Sequence, residues 1–544
     1  MGSGPRADAG MRYGIARPAA MLAHNPWLLT GLVGLLAAAG LWLMIQPLGR
    51  VTNDTDSAAT VLYFERIIHG HRLEAFVPTT PKPLLTVIYG LLWTATGDWR
   101  ALTVATLAAG SLAVALAARL ANRLSGVAAS AVVVIGLLAW PDFRVEVANA
   151  NSFVWALALW LLAGVLVTLD RPRPWLAGVV LLLAGLARTE TIWIVAAVFA
   201  CAALVGLRAM RGGDRAPLRA TWPLLLGLLA VPLACLHDWL LTGQPLYWLS
   251  VPGGYTALVA PGLPSVPPWT TIRSELAYYR PAAALVCLAI AGLVWMFLSK
   301  RRAIALALAS LTGGVLLTLI YLAWRGVLLN PRYYEEADAP ILLMAAVGTS
   351  ALTTWLFGRA IGHRPTSDRW ATLVAGAVAA VLALGVVAVD VPHDALPPGL
   401  AGPAAGYSAL QPQIPALETI LAGASGVATD VAGVSYPVAD LHSCRVFVPR
   451  PFVPLISVET GAPIDALGDS FLAFRTGDYS ALSPGQYVLH IAAVDGRGGV
   501  YAPFEHSGQT VLTVSPGRAV LVSAVYADDQ QGVWLMRIES ESGV

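Results

Sequence analysis

Apolar stretches long enough to cross a bilayer, roughly 17–25 residues each, recur through the first three quarters of this 544-residue chain. Their approximate bounds are 26–46, 99–118, 125–141, 150–169, 174–187, 190–207, 221–241, 281–298, 303–325, 338–357 and 370–390. A soluble core could not hide so much apolar surface, whereas a bilayer lets lipid-facing side chains stay apolar and leaves the helix as the natural spanning element. Composition agrees. Hydrophobic residues make up 57% of the chain and charged ones 12%, against about 45–50% and 25% in a soluble protein. A formal net charge of +2 and the lack of a basic tract give no reason to expect a nucleic-acid partner. The expected fold is therefore an α-helical polytopic bundle of about eleven transmembrane helices.

Arginine placement sets the parity. The segment after Lys82, PLLTVIYGLLWTATG, is apolar but short of spanning length. If it stays at the surface and the N-terminal tail (1–25) is cytoplasmic, every tight basic cluster falls on the inner side, as the positive-inside rule requires. These clusters are Arg6, Arg12 and Arg17; Arg119 and Arg123; Arg171 and Arg173; Arg208, Arg211, Arg215 and Arg219; Lys300, Arg301 and Arg302; and Arg359, Arg364 and Arg369. A crossing at that segment would move every later cluster outside. It is therefore expected to be an interfacial or re-entrant helix of the first outer loop, 47–98, within a transmembrane domain spanning 26–390. The chain after the last span is then extracytoplasmic. A Pro-, Gly- and Ala-rich linker (391–412) leads to about 130 residues of ordinary soluble character. There ALETILAGA reads as a helix, and GVATDVAG, YVLHIAAVDG and AVLVSAVYA read as strands, giving a small α/β domain over 413–544. The N-terminus lacks a cleavage site after its apolar run, so the first segment reads as a retained helix. The expected location is the plasma membrane, multi-pass.

Polar residues gather on the outer side. Ionisable groups at the hydrocarbon boundary cost several kcal/mol unless paired or solvated, so their gathering points to a shared polar cavity. Asp54 and Asp56, two apart, could hold a divalent cation (magnesium, manganese or calcium) or accept a proton from a hydroxyl; they could equally cap the helix starting at SAATVLYFERII. Lys82, one of two lysines in the chain, stands between prolines at the start of the interfacial helix. It suits either a snorkelling anchor or a cation offered to a lipid phosphate. Arg188 interrupts an apolar stretch between two short helices, where burial demands a bound phosphate or a partner such as Glu190. Asp142, Glu146, His237, Asp238, Arg332 and Tyr333 lie at other outer positions. His69 and His71 lack a metal-site pattern and read as a solvated pair. In the long outer loop 242–280, Trp248, Tyr255 and Trp269 could stack on sugar faces or sit in the headgroup belt. Of the four cysteines, Cys201, Cys235 and Cys287 lie in apolar runs and read as small core hydrophobes; Cys444 lies beyond the linker, and no redox or metal spacing appears.

The order of these elements resembles the GT-C superfamily of membrane glycosyltransferases, which use polyprenyl-phosphate-linked sugars. The resemblance rests on Asp54-Thr55-Asp56, Tyr63 and Gly70 in the first outer loop, then Lys82-Pro83-Leu84 at the interfacial helix. It continues through Gly97-Asp98-Trp99-Arg100, Gly185-Leu186-Ala187-Arg188-Thr189-Glu190, His237-Asp238-Trp239 with Gly243-Gln244-Pro245, and Asn330-Pro331-Arg332-Tyr333-Tyr334. The Lys-Pro form is similar to that of aminoarabinose and protein O-mannosyl transferases; Leu84 replaces the family's second proline, and Thr55 separates the two carboxylates. The resemblance implies inverting transfer of a sugar from a polyprenyl-phosphate donor to a glycan, lipid or protein acceptor. It also implies Asp54 or Asp56 as catalytic base or metal ligand, and Lys82 and Arg188 on the donor phosphate. Tyr63, Asp142, Glu146, Glu190, His237, Asp238, Arg332 and Tyr333 would serve as substrate-binding residues. The outer α/β domain is similar to modules linked to acceptor or glycan binding. The rival class, a polyprenol or lipid transporter or flippase, predicts polar residues through the bilayer's depth and inverted repeats, and neither is visible in the sequence.

Overall fold

The structure, a computed structural model, describes residues 26–45, 55–77, 79–189, 222–259, 283–299, 301–327, 335–361, 413–422, 428–430, 437–439, 444–448, 452–469, 483–492, 511–514, 517–526 and 532–540, with scattered positions between 191 and 273. Its helices are α1 (Pro26–Ile45), α2 (Thr55–Ile68), α3 (Pro83–Thr96), α4 (Arg100–Ser125), α5 (Val127–Ala139), α6 (Pro141–Ala148), α7 (Ser152–Val167) and α8 (Pro174–Ala187). A 3₁₀ turn, Trp222–Leu229, runs into α9 (Ala230–Thr242), followed by α10 (Tyr247–Val259), α11 (Ala283–Leu298), α12 (Arg302–Trp324) and α13 (Glu335–Ile361). Among the described residues, four helices are long and apolar enough to cross a membrane, and a fifth span forms if the bent pair α5–α6 counts as one. Shorter apolar helices accompany them. The expected span 370–390 lies outside the described residues, and only scattered positions of 190–207 fall within them.

Several boundaries follow from single residues. α3 has 14 residues, about 21 Å at 1.5 Å per residue, short of a hydrocarbon core about 30 Å thick. The expected span 125–141 ends instead at Ala139, and the chain turns by 61° into α6. Pro141 explains the bend, because a residue before proline is driven from the helical region, and Trp140 adopts φ −68°, ψ 113°. On α1, Leu35, Leu36 and Leu43 are 72%, 64% and 67% exposed. That surface suits lipid and not water.

The bundle core joins α1, α4, α5, α7, α11, α12 and α13. α11 and α13 cross at Gly292 and Gly348, where a Cβ on either would collide with the facing backbone carbonyl, of Met344 and Leu288 respectively. Small residues permit such approach in a medium where packing, not water exclusion, drives association.

The two ends of the bundle can be told apart. Arg119 lies 3.6 Å over the Trp27 ring and donates to Thr30 Oγ1 at 3.1 Å. Arg123 reaches the Thr168 carbonyl and Asp170 at 3.6 Å. The start of α1, the end of α4 and the α7–α8 turn therefore share one end. Trp99, which precedes α4, lies about 30 Å away along that helix, at the other end with α2 and α3.

At that other end sits the C-terminal module. It contains α14 (Ile414–Leu421), α15 (Val453–Thr460) and strands β1 (Ala428–Asp430), β2 (Pro437–Ala439), β3 (Val446–Val448), β4 (Leu467–Asp469), β5 (Tyr487–Ala492), β6 (Val511–Val514), β7 (Gly517–Tyr526) and β8 (Gly532–Ser540). One sheet has the order β4-β3-β5-β8-β7-β6; β3 runs parallel to β4 and β5, and the remaining pairs are antiparallel. β1 and β2 form a separate antiparallel pair. The parallel pair β3–β4 is joined through α15, as parallel strands require a crossover. Leu455, Ile456, Val446 and Leu467 share one apolar cluster with Ala58 and Val61 of α2, Leu85 and Tyr89 of α3, and Trp99.

Candidate active site

Asp56 lies in the first turn of α2, where the helix dipole favours a carboxylate. Lys82 caps α3 with Pro83 at the first helical position, which needs no N–H donor. A lysine there opposes the α3 dipole, and Asp56 offsets the conflict. Lys82 Nζ lies 3.1 Å from Asp56 Oδ2, and Thr79 Oγ1 donates to Asp56 Oδ1 at 3.1 Å. The pair is asymmetric: the lysine side chain is 6% exposed and the carboxylate 27%. A buried ammonium is thus paired with a partly exposed carboxylate.

Hydroxyls hold the segment that delivers Thr79 and Lys82. The Tyr63 hydroxyl donates to the Thr79 carbonyl at 2.6 Å, and the Tyr247 hydroxyl donates to the Val77 carbonyl at 3.0 Å. Both rings are fully buried, and burying each contributes roughly 1.5–3 kcal/mol. Asp238, at the end of α9, accepts from the Trp248 backbone N–H at 2.7 Å. That contact fixes the start of α10, which carries Tyr247. His237 Nδ1 lies 3.5 Å from Asp238 Oδ1.

α3 is anchored on its other side as well. The Tyr89 hydroxyl donates to the Ala150 carbonyl at 2.7 Å and lies 2.7 Å from Thr106 Oγ1, while Trp155 Nε1 donates to it at 3.0 Å. Burial raises the Tyr89 phenol above its ordinary value, so it remains protonated and keeps its donor. Ala150 takes φ +53°, a left-handed turn for a non-glycine, just before α7.

Arg188 ends α8 and is 4% exposed, with its guanidinium 5.9 Å from the Phe153 ring. α8 packs against α3, so Arg188 lies at the same end of the bundle as Lys82. Glu146 is buried in α6, whereas Asp142 is exposed and accepts from Trp140 Nε1 at 3.3 Å. His69, just past the end of α2, is exposed and meets the Glu65 carbonyl at 2.8 Å. Asp54, Glu190, Arg332 and Tyr333 lie outside the described residues.

Thr79, Tyr247 and Tyr89 were not legible as site residues. Each acts through a backbone carbonyl or hydroxyl distant in sequence, and the one local hint was Thr79-Thr80-Pro81 ahead of Lys82. Of the two carboxylates expected to hold a divalent cation, Asp54 lies outside the described side chains. No group of three His, Cys, Asp or Glu gathers among them, and both Asp56 oxygens accept from Lys82 and Thr79.

No protein-family model matches the chain, and no curated protein matches it. Among solved structures, the chain resembles ArnT from Cupriavidus metallidurans bound to undecaprenyl phosphate, with 12% identity, 94% of this chain and 98% of that chain covered, and a TM-score of 0.48. It also resembles the Archaeoglobus fulgidus oligosaccharyltransferase in complex with zinc and sulfate, with 14% identity, 84% and 67% covered, and a TM-score of 0.48. Both are GT-C glycosyltransferases, the superfamily that the sequence motifs resemble.

Proposed function

We propose that this chain is a membrane glycosyltransferase that moves a sugar from a polyprenyl-phosphate donor to a cell-envelope glycan, lipid or protein on the non-cytoplasmic face. One observation carries the reading: a buried lysine at a helix start pairs with a partly exposed carboxylate, at the bundle end opposite the Arg119–Arg123 cluster. The positive-inside rule makes that cluster cytoplasmic and the Lys82 end extracytoplasmic. The donor phosphate binds Lys82 and Arg188, which stabilise the negative charge gathering on it. The carboxylate of Asp56, or of Asp54, takes the proton from the acceptor hydroxyl. The acceptor oxygen forms its bond to the anomeric carbon as the carbon–oxygen bond to phosphate breaks with inversion. Polyprenyl phosphate leaves with the bonding electrons. Glu146, Asp142, Glu190, His237, Asp238, Arg332 and Tyr333 are the remaining substrate-facing candidates, and Tyr63 acts through Thr79.

The test is transfer by the purified full chain from a panel of synthetic polyprenyl-phosphate sugars to an envelope-extract acceptor. Wild type is expected to turn over at least one donor, and Asp56→Ala and Arg188→Ala to lose most of it. Full turnover by both variants would remove the site assignment. Lipid movement across vesicles without any transfer would favour a flippase.

A further inference from the structure

We infer that the C-terminal module, through α15, forms a fixed wall of this site, not a tethered capture module, and that Arg66 and Trp99 are the positioning residues locking it in place. Arg66 leaves α2 and donates from Nη2 to Ser457 Oγ at 3.2 Å and to the Ala462 carbonyl at 3.3 Å. Its Nε is held 3.0 Å from Glu74 Oε1, so the guanidinium bridges the first outer loop and the module. Trp99 Nε1 donates to Glu459 Oε1 at 2.7 Å, and the indole is 2% exposed. Ser457 and Glu459 belong to the same short helix, α15. Both locks therefore converge on one element of the module, from two different elements of the membrane domain.

Apolar packing fills the space between them. Ile464 of the module is 2% exposed and lies in one cluster with Tyr63 and Tyr247, the two rings whose hydroxyls hold the Thr79 and Val77 carbonyls. A flexibly tethered domain meets its neighbour through a modest, polar surface. Here the contact is a shared apolar core with charge-assisted hydrogen bonds at its rim. The chemical consequence comes through α2. Asp56 and Arg66 sit about 15 Å apart on one helix, so fixing Arg66 against the module sets the tilt with which Asp56 meets Lys82. The α15 face of the module is also covered by this contact, which leaves it unable to receive an acceptor.

The inference rests on the glycosyltransferase reading only for its kinetic readout. The experiment places a protease site in the linker 391–412 of the full chain and cleaves the folded protein in lipid nanodiscs. Retention of the 413–544 fragment on size exclusion is measured together with transfer. The wild-type fragment is expected to stay bound, with transfer within about two-fold of the uncut protein. Release of the fragment with transfer intact would overturn the inference. Uncut Arg66→Ala is expected to lose about ten-fold in kcat with the donor KM within two-fold, and Arg66→Lys to recover part of it. Trp99→Phe, which removes one hydrogen bond and keeps the ring, is expected to release the fragment more readily after cleavage. Wild-type kcat in Arg66→Ala would refute the positioning role. If the uncut wild type transferred nothing, the glycosyltransferase reading would fail, and fragment retention would still decide whether the module is fixed.

Discussion

The two ends of the bundle use cationic side chains in opposite ways. At one end, Arg119 and Arg123 make simple anchoring contacts: a ring face, a threonine hydroxyl, a helix-end carbonyl and an exposed aspartate. At the other, Lys82 is buried against Asp56, Arg188 is buried beside Phe153, and both helices that carry them are pinned by neighbouring elements. A cation that only orients a protein in a membrane can settle against an aromatic face and a hydroxyl, as Arg119 does although it is also buried. A cation buried at a helix start against the dipole, with a carboxylate on one side, costs free energy that a structural anchor has no need to spend. The difference separates orientation from chemistry.

The comparison can be broken most directly at Asp56. Asp56→Asn is expected to lower transfer by about 10²–10⁴-fold, the range of a lost general base. Polyprenyl phosphate should nevertheless bind at least as tightly, because the substitution frees Lys82 from its partner. Weaker lipid-phosphate binding in that variant would mean that Asp56 serves the fold and not the proton. The paired arginines give the next test. Arg188→Ala should cut kcat/KM for the donor by roughly 10²-fold, about 3 kcal/mol of charge-assisted hydrogen bonding. Arg119→Ala at the opposite end should leave kcat/KM within two-fold, with a stability loss of about 0.5–2 kcal/mol from the missing cation–π contact. Equal activity losses in the two variants would erase the distinction between the ends. The smallest effect is expected at Tyr247. Tyr247→Phe removes the bond to the Val77 carbonyl, about 0.5–1.5 kcal/mol, and should slow transfer by up to about ten-fold without unfolding the bundle, as read from kcat and thermal melting together.

Much of this layout was readable before any coordinates. Apolar runs marked α1, α4 and α12 because length and hydropathy suffice to define a helix in lipid. The arginine loops separated the ends because charge placement is a global constraint. Lys82 drew notice because a lone lysine between prolines at an apolar segment has few bland uses. The strands at 487–492 and 517–526 followed from alternation and β-branched residues. Tertiary closure was not readable. Arg66 and Ser457 are 391 positions apart, and nothing local in either segment announces the other. The bond from the Trp248 backbone N–H to the Asp238 carboxylate at the start of α10 is likewise a clasp that no linear pattern encodes. The bend at Trp140 did carry a local signal in Pro141, which the apolar run around it masked.

The central claim is that the buried lysine at the start of α3 receives a lipid-linked phosphate. Equilibrium binding of polyprenyl phosphate to the purified full chain in nanodiscs, wild type against Lys82→Met, tests it most directly. Wild type is expected to bind saturably, and the variant to show at least a ten-fold weaker Kd at unchanged thermal stability. Equal affinity in the two proteins would contradict it.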